Sequence, residues 1–275
     1  MSTLATLQDT KTELLTRTNT TADDAIIQQA NEAVTNRIYE MFKPMRFFPV
    51  IDTRLYSTAD ILPVDGKYYL WLDNALLGLT TLTGFDGTTK TEWDGVLANL
   101  TSADFRLMPH SESPKVRVLW LNNLTTPFGV SSTPTTAALM SIAGIWGYHS
   151  DYANAWIASA DALAAAITTT TETTLTVADA DASNSIGRSP RFSVGNLIKI
   201  DDEFLSVLAV DTTTNILTVK RGMYGSTAAT HLISTDIDVW QVDASMKRAA
   251  MRWASYLVSR IGEFGNVTID GLGGA

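Results

Sequence analysis

At 275 residues the chain lies between one large domain and two ordinary ones, and with 45% hydrophobic and 18% charged residues it can build real cores, which excludes disorder as its main state. It has no cysteine, which excludes disulfides, thiol nucleophiles and thiolate metal sites. A formal charge of −9 opposes tight nucleic-acid binding, because that affinity comes mainly from Lys and Arg displacing counterions from phosphates.

The first fifteen residues, Met1 to Leu15, interleave Thr, Asp, Lys and Glu with leucines, unlike a basic-then-apolar signal peptide, so nothing points to secretion. Leu4, Leu7, Leu14 and Leu15 suggest a short helix near 3–15. Ile27, Ala30, Val34, Ile38 and Met41 recur at three and four residues and predict a longer helix over 21–43. The Thr21 hydroxyl would cap it, Asp23 and Asp24 suit its positive end, and Pro44 stops it.

From 47 to 147 the pattern changes to short extended segments separated by turn residues. The punctuation includes Asp65-Gly66, Asp86-Gly87, Asp94-Gly95, Pro109 and Pro114, with Asp-Gly pairs supplying the positive φ of tight turns. Tyr152 to Ala166 is alanine-rich and reads as a helix or a linker, and the β-branched run Thr168 to Thr171 marks a boundary. Strand-like pieces then follow to Trp240, with hairpins expected around Asp201-Asp202 and from Asp211 to Thr214. Met246, Ala249, Ala250, Trp253, Leu257 and Ile261 form a final amphipathic stripe over 243–262, ended by Gly262 and Gly265. No stretch approaches the roughly 20 apolar residues of a membrane span, so the chain reads as soluble.

The expected architecture is α+β: a discontinuous helical-bundle domain made of 1–166 plus 242–275, with a strand-rich middle and an inserted small all-β domain at 167–241. It rests on the two helical ends packing together.

Catalytic constellations are hard to find. His110, His149 and His231 are far apart and fit no metal-binding spacing, so they read as turn or surface residues, His231 in particular as a turn. The sequence has no nucleophile elbow, phosphate-binding loop or dinucleotide fingerprint. Glu92-Trp93-Asp94 pairs acids with an aromatic, the minimum for sugar hydrolysis, but such pairs are common on surfaces. Trp71, Trp93, Trp120, Trp146 and Trp156 could stack sugars, against the plainer reading of core or interface residues. No catalytic, cofactor-binding or metal-binding residue is assigned, and the chain reads as a non-enzyme.

The opening from Leu4 to Leu15, the cap Thr21-Ala22-Asp23-Asp24, the helix to Phe42 and the Arg46-Phe47-Phe48-Pro49 stretch resemble the start of the head-tail connector (adaptor) proteins of tailed bacteriophages. Phe105 to Pro109, Ile142 to Tyr148 and a last helix containing Lys247 to Arg252 follow in the matching order. The chain departs from shorter members by its β module. There, Leu197 to Phe204 and Arg221 to His231 are similar to a domain recurring in phage virion proteins.

The resemblance implies a structural subunit of the virion neck. Its partners would be the portal protein, a tail, stopper or nozzle protein, and copies of itself in a ring, a dodecamer, with DNA passing through the channel without specific binding and no membrane involved. In such adaptors the C-terminal tail reaches into the portal, and here Phe264, Val267, Ile269 and Leu272 are the candidate partner-binding residues, able to dock apolar side chains or add a strand to a sheet edge. The β module and tryptophans also suit an alternative, a tail-tip or fibre-associated sugar-binding protein.

Overall fold

A computed structural model describes residues 1–14, 21, 23–83, 89–90, 105–109, 114–120 and 140–264. The chain divides into two compact units. One joins Met1–Met41, Trp156–Met223 and Thr227–Ala275; the other is Phe42–Ala155 with Tyr224–Ser226. The helices therefore group with the C-terminal β module, and the strand-rich stretch stands as a unit of its own. The boundaries fall at 41/42 and 155/156, where the sequence suggested 166/167 and 241/242.

The strand-rich unit is built on one long strand. β1 (Val50–Tyr56), β2 (Ile61–Val64), β3 (Lys67–Thr83), β4 (Thr89–Lys90), β5 (Phe105–Met108), β6 (Lys115–Trp120) and β7 (Met140–Trp146) form an antiparallel sheet in the order β1-β7-β3-β6-β5, with β2 and β4 paired to β3. The segments 67–72 and 76–82, expected as separate strands, run together as β3, whose register shifts between Trp71 and Leu76 and again at Gly78 and Thr81. Such bulges let a strand of 17 residues bend and stay paired. Asp65 and Gly66 adopt φ of 50° and 74° and close the β2–β3 hairpin as a two-residue turn, the conformation for which Asp-Gly is favoured. Alternate residues of β7 are buried, and Met140, Ile142 and Trp146 join Leu70, Leu76, Leu82, Phe105 and Val118 in the core.

In the other unit, β8 (Trp156–Ala162), β9 (Thr174–Thr176), β10 (Leu197–Ile200), β11 (Glu203–Asp211), β12 (Ile216–Lys220) and β13 (Asp236–Trp240) lie in the order β8-β13-β10-β11-β12-β9, every pair antiparallel. The chain beyond β8 meets the chain beyond β9 at the Leu163–Val177 bridge, so the sheet closes on itself and leaves no long open edge. The interior is written in period two. Leu175 and Val177, Ile198 and Ile200, Leu205 and Val207, Leu217 and Val219, and Ile237 and Val239 all point inward around Phe192.

The alanine-rich stretch is strand β8, not helix or linker. Alanine favours helix by a few tenths of a kcal/mol per residue, less than the pairing of 156–162 with β13 supplies. A bulge with Ala160 at φ 58° absorbs the misfit.

Three α-helices belong to the barrel unit: α1 (Leu7–Glu13), α2 (Asp24–Met41) and α3 (Ala244–Phe264), each packed on the other two. Residues 3–6 precede α1 outside the helix, Thr6 being its extended cap. The Thr6 hydroxyl accepts from the Asp9 amide at 3.1 Å, and the Asp9 carboxylate accepts from the Thr6 amide at 3.0 Å. Asp24 opens α2 with its amide donating to the Thr21 carbonyl at 3.2 Å, and Lys11 pairs with the Asp24 carboxylate. Ile27, Ala30, Val34 and Ile38 are buried as expected, whereas Met41 is exposed. On α3 the buried stripe is Ala250, Ala254, Ser255 and Val258. The bulkier Met246, Trp253 and Leu257 flank it half-buried, so the face lies rotated from the expected one.

The α+β expectation of a helical-bundle adaptor domain is thereby corrected. Strands dominate both units, and the large apolar clusters are sheet interiors; the helices form a small layer joined to a barrel. Helical periodicity was legible at both ends, but it covers fewer residues than the alternation between them.

The N-terminal segment is fixed to the barrel unit by backbone. The Thr3 amide donates to the Gly195 carbonyl and the Leu7 amide to the Val194 carbonyl, both at 3.0 Å, while Leu4 is buried and its amide donates to Thr35 Oγ1 at 3.1 Å. Gly195 sits at φ +94°, where an added Cβ would lie 2.2 Å from Thr3 Oγ1. Gly195→Ala is expected to lower stability by about 2 kcal/mol, from backbone strain alone, and more if Thr3 must move. Urea unfolding followed by tryptophan fluorescence measures this.

Candidate functional site

The densest cluster of ionisable groups lies in the barrel. Glu203 opens β11 immediately after the Asp201-Asp202 turn, where Asp201 takes φ 50° so that Ile200 can pair with Glu203. This places the Glu203 carboxylate, 1% exposed, among donors from three parts of the chain. It accepts from Arg221 Nε at 2.9 Å and from Arg221 Nη2, from the Gly222 amide at 3.1 Å, from the Ala229 amide at 3.0 Å and from His231 Nε2 at 2.9 Å. His231 Nδ1 lies 2.7 Å from the Asp201 carboxylate. A carboxylate offers acceptors alone, so the ring donates to both acids when both nitrogens carry hydrogen. Arg221 also reaches the carbonyls of Thr169 and Ala229.

Burial alone would push the Glu203 carboxyl up. The Arg221 guanidinium, the Ala229 amide, His231 and the Gly222 amide together outweigh it and hold the group well below the usual carboxylate range. This carboxylate is saturated by donors and closed to solvent, so it organises the barrel rather than meeting a substrate. His231, expected at a turn, is 4% exposed and its backbone bridges Ile167. Its sequence signal was its place at the end of the Arg221–His231 stretch, the partner motif to Asp201-Asp202-Glu203.

The other candidate residues do not converge on this cluster. Asp151 donates its amide to Nδ1 of His149, a buried residue of the strand-rich unit, at 3.0 Å. His110, Glu92, Trp93, Asp94, Val267, Ile269 and Leu272 lie outside the described residues, and Phe264 is described in its backbone alone as the last residue of α3. Trp146 is a core residue whose indole donates to the Asp52 carbonyl at 3.0 Å, under the Arg54 guanidinium at 4.4 Å. Trp156 packs on Phe204 and Trp240. Trp71 is 42% exposed, with the Arg117 guanidinium 4.8 Å from its ring centre. The side chain of Trp120 is not among those described. Among the described residues no group of three His, Asp or Glu side chains is placed to hold a metal ion, and no helix is long and apolar enough to cross a membrane.

A second feature of the barrel unit is an open cleft of about 200 Å³, lined by Asp9 of α1, by Arg188, Arg191 and Ser193 from the loop before β10, and by Gln241 and Lys247 at the start of α3. The loop is held in place by its own bonds. Asn184 Oδ1 accepts from the Arg188 amide at 2.9 Å, the Arg191 amide donates to the Ala182 carbonyl at 2.8 Å, and the Ser193 hydroxyl accepts from the Gln8 amide at 3.2 Å. Lys247 pairs with Asp9 at 2.7 Å, Arg188 donates to Gln241 Oε1, and Arg191 donates to the Ala160 carbonyl at 2.6 Å beside Asp161. Arg191 Nε is buried with no acceptor among the described residues.

Comparison with protein-family models, with curated proteins and with solved structures finds no match for this chain.

Replacing Glu203 by Gln leaves the buried Arg221 guanidinium without its counter-charge, and is expected to destabilise the barrel unit by about 3–5 kcal/mol at pH 7. Because the folded-state pKa is depressed, the stabilisation from ionised Glu203 is complete above its unfolded value, about 4.3, and is lost as pH falls through the depressed one. Denaturation midpoints followed from about pH 5 downward should fall more steeply in the parent chain than in Glu203→Gln. Equal slopes would remove Glu203 from the acid response.

Proposed function

We propose that the chain is a structural head-tail adaptor subunit of a tailed-bacteriophage particle. It forms a ring beneath the portal, joins it to the tail at the neck and leaves the DNA channel open. The reading is supported chiefly by the order of elements seen in the resemblance together with one structural observation. The helices from the two ends of the chain pack on one another in a single unit, α1 and α3 tied by the Lys247–Asp9 pair and by Arg252 and Glu13 at 3.7 Å. Such a unit holds α1 and α3 together and can present them to a neighbour in a ring, where each subunit needs two different complementary faces. In this reading Phe264, Val267, Ile269 and Leu272 engage the portal, and a tail, stopper or nozzle protein binds the opposite side.

The test is co-purification of the full chain with the portal protein of the same particle, followed by electron microscopy. Rings seated on the portal are expected, and removal of residues 265–275 should abolish docking without shifting the thermal midpoint. Full-length protein that never associates with the portal defeats the adaptor reading. Docking that survives the truncation defeats the role given to the tail.

A further inference from the structure

We propose that the cleft between α1, the 184–193 loop and the start of α3 is a binding site for a carboxylate side chain of an acidic peptide segment. This inference does not depend on the adaptor reading. Its first basis is local charge. The ionisable residues lining the cleft are Asp9, Arg188, Arg191 and Lys247, a net charge of +2 from three cations and one anion, in a chain whose total is −9. Counting the buried Asp161 that pairs with Arg191 leaves +1, still opposite in sign to the protein as a whole.

The second basis is the state of the donors. Arg191 has a side chain only 9% exposed, lines the cleft and keeps an Nε hydrogen with no acceptor among the described residues. A buried N–H without a partner is uncommon and is satisfied by a water or a ligand oxygen. Arg188 is exposed and uses Nη1 toward Gln241. A guanidinium carries five donors in a fixed fork suited to the two oxygens of a carboxylate. The loop carrying both arginines is already ordered by Asn184, so a ligand would not have to organise it.

Charge arithmetic favours a carboxylate over a phosphate. Asp9 lines the same cleft and Asp161 stands behind Arg191, so a dianion would meet two carboxylates with at most three cations to offset them. A monoanion leaves the site close to neutral. The volume of about 200 Å³ suits one side chain rather than a folded surface.

The experiment titrates the full chain at physiological ionic strength with an acetylated, amidated glutamate-rich peptide, with its glutamine counterpart and with inorganic phosphate, following backbone amide resonances. The glutamate peptide should bind saturably, with shifts centred on residues 188–193 and 241–247. Binding should weaken by about tenfold in Arg188→Gln and further with Lys247→Gln, the loss of one and then two charge-assisted contacts. Arg252→Gln, an exposed cation of α3 outside the cleft, should bind as the parent does. Since Lys247 also pairs with Asp9, the exposed Arg188 variant keeps the test decisive if the double variant folds poorly. Equal binding of the glutamine peptide, equal weakening by Arg252→Gln, tighter binding of phosphate, or no saturable shift would each overturn the assignment.

Discussion

A buried carboxylate is expensive unless its neighbours replace the water it has lost, and the geometry around Glu203 follows from that constraint. The desolvation of an isolated ion is worth several kcal/mol. The fold meets it by bringing Arg221 and Gly222 from the end of β12, Ala229 from the following loop and His231 from the approach to β13 onto one carboxylate at the start of β11. Three chain segments are thereby set relative to one another before any apolar contact is counted. With those positions fixed, the alternating residues of β10 to β13 face a common interior, and the Leu163–Val177 bridge closes it. The barrel in turn presents the 194–195 backbone, on which residues 3–7 hang, and through them α1 meets α2 and α3.

Several of these features were legible in the sequence because a local rule decides them. Asp65-Gly66 takes the positive φ its composition requires, Asp211 accepts from the amides of Thr213 and Thr214 in the turn where a hairpin was expected, and Ile27, Val34 and Ile38 share the buried face of α2. Others depend on partners distant in the chain. Nothing local tells that Trp156 to Ala162 will find β13, since alanine runs favour helix until a strand some eighty residues away offers hydrogen bonds. His231 reads as a turn residue because the acids that bury it, Asp201 and Glu203, lie about thirty positions earlier. The rotation of α3 has the same origin: periodicity finds an apolar stripe, but the small residues Ala250 and Ala254 are the ones buried, leaving Met246 and Trp253 at the margin. The tryptophans divide likewise, with Trp146 in the core and Trp71 under a guanidinium.

The two stretches on which the proposed virion reading of the β module rests contain the residues that build the Glu203 cluster: Asp201 and Glu203 in one, Arg221, Gly222, Ala229 and His231 in the other. Their presence in this chain is accounted for by folding. A barrel that must close around one buried acid requires them whatever its surface is used for, and fold does not carry function with it. Information about partners has to be sought where side chains are not needed for the barrel. In the described part of this unit, Arg188 fits that description, exposed on a loop whose shape is set by other residues.

The sign of the cleft matters because it opposes that of the chain. At physiological salt, fields decay over about 8 Å, so a ligand in the cleft responds mainly to Asp9, Arg188, Arg191 and Lys247 while the remaining negative charge is largely screened. At lower salt the net −9 extends outward and repels an approaching acid before the cleft can attract it. Local attraction and distant repulsion weaken together as salt is added, so their difference changes less than either alone. A short acidic segment on an otherwise neutral partner feels chiefly the attraction, whereas a uniformly acidic surface feels both. The arrangement thus discriminates by how charge is distributed on the partner, which a uniformly basic surface would not do.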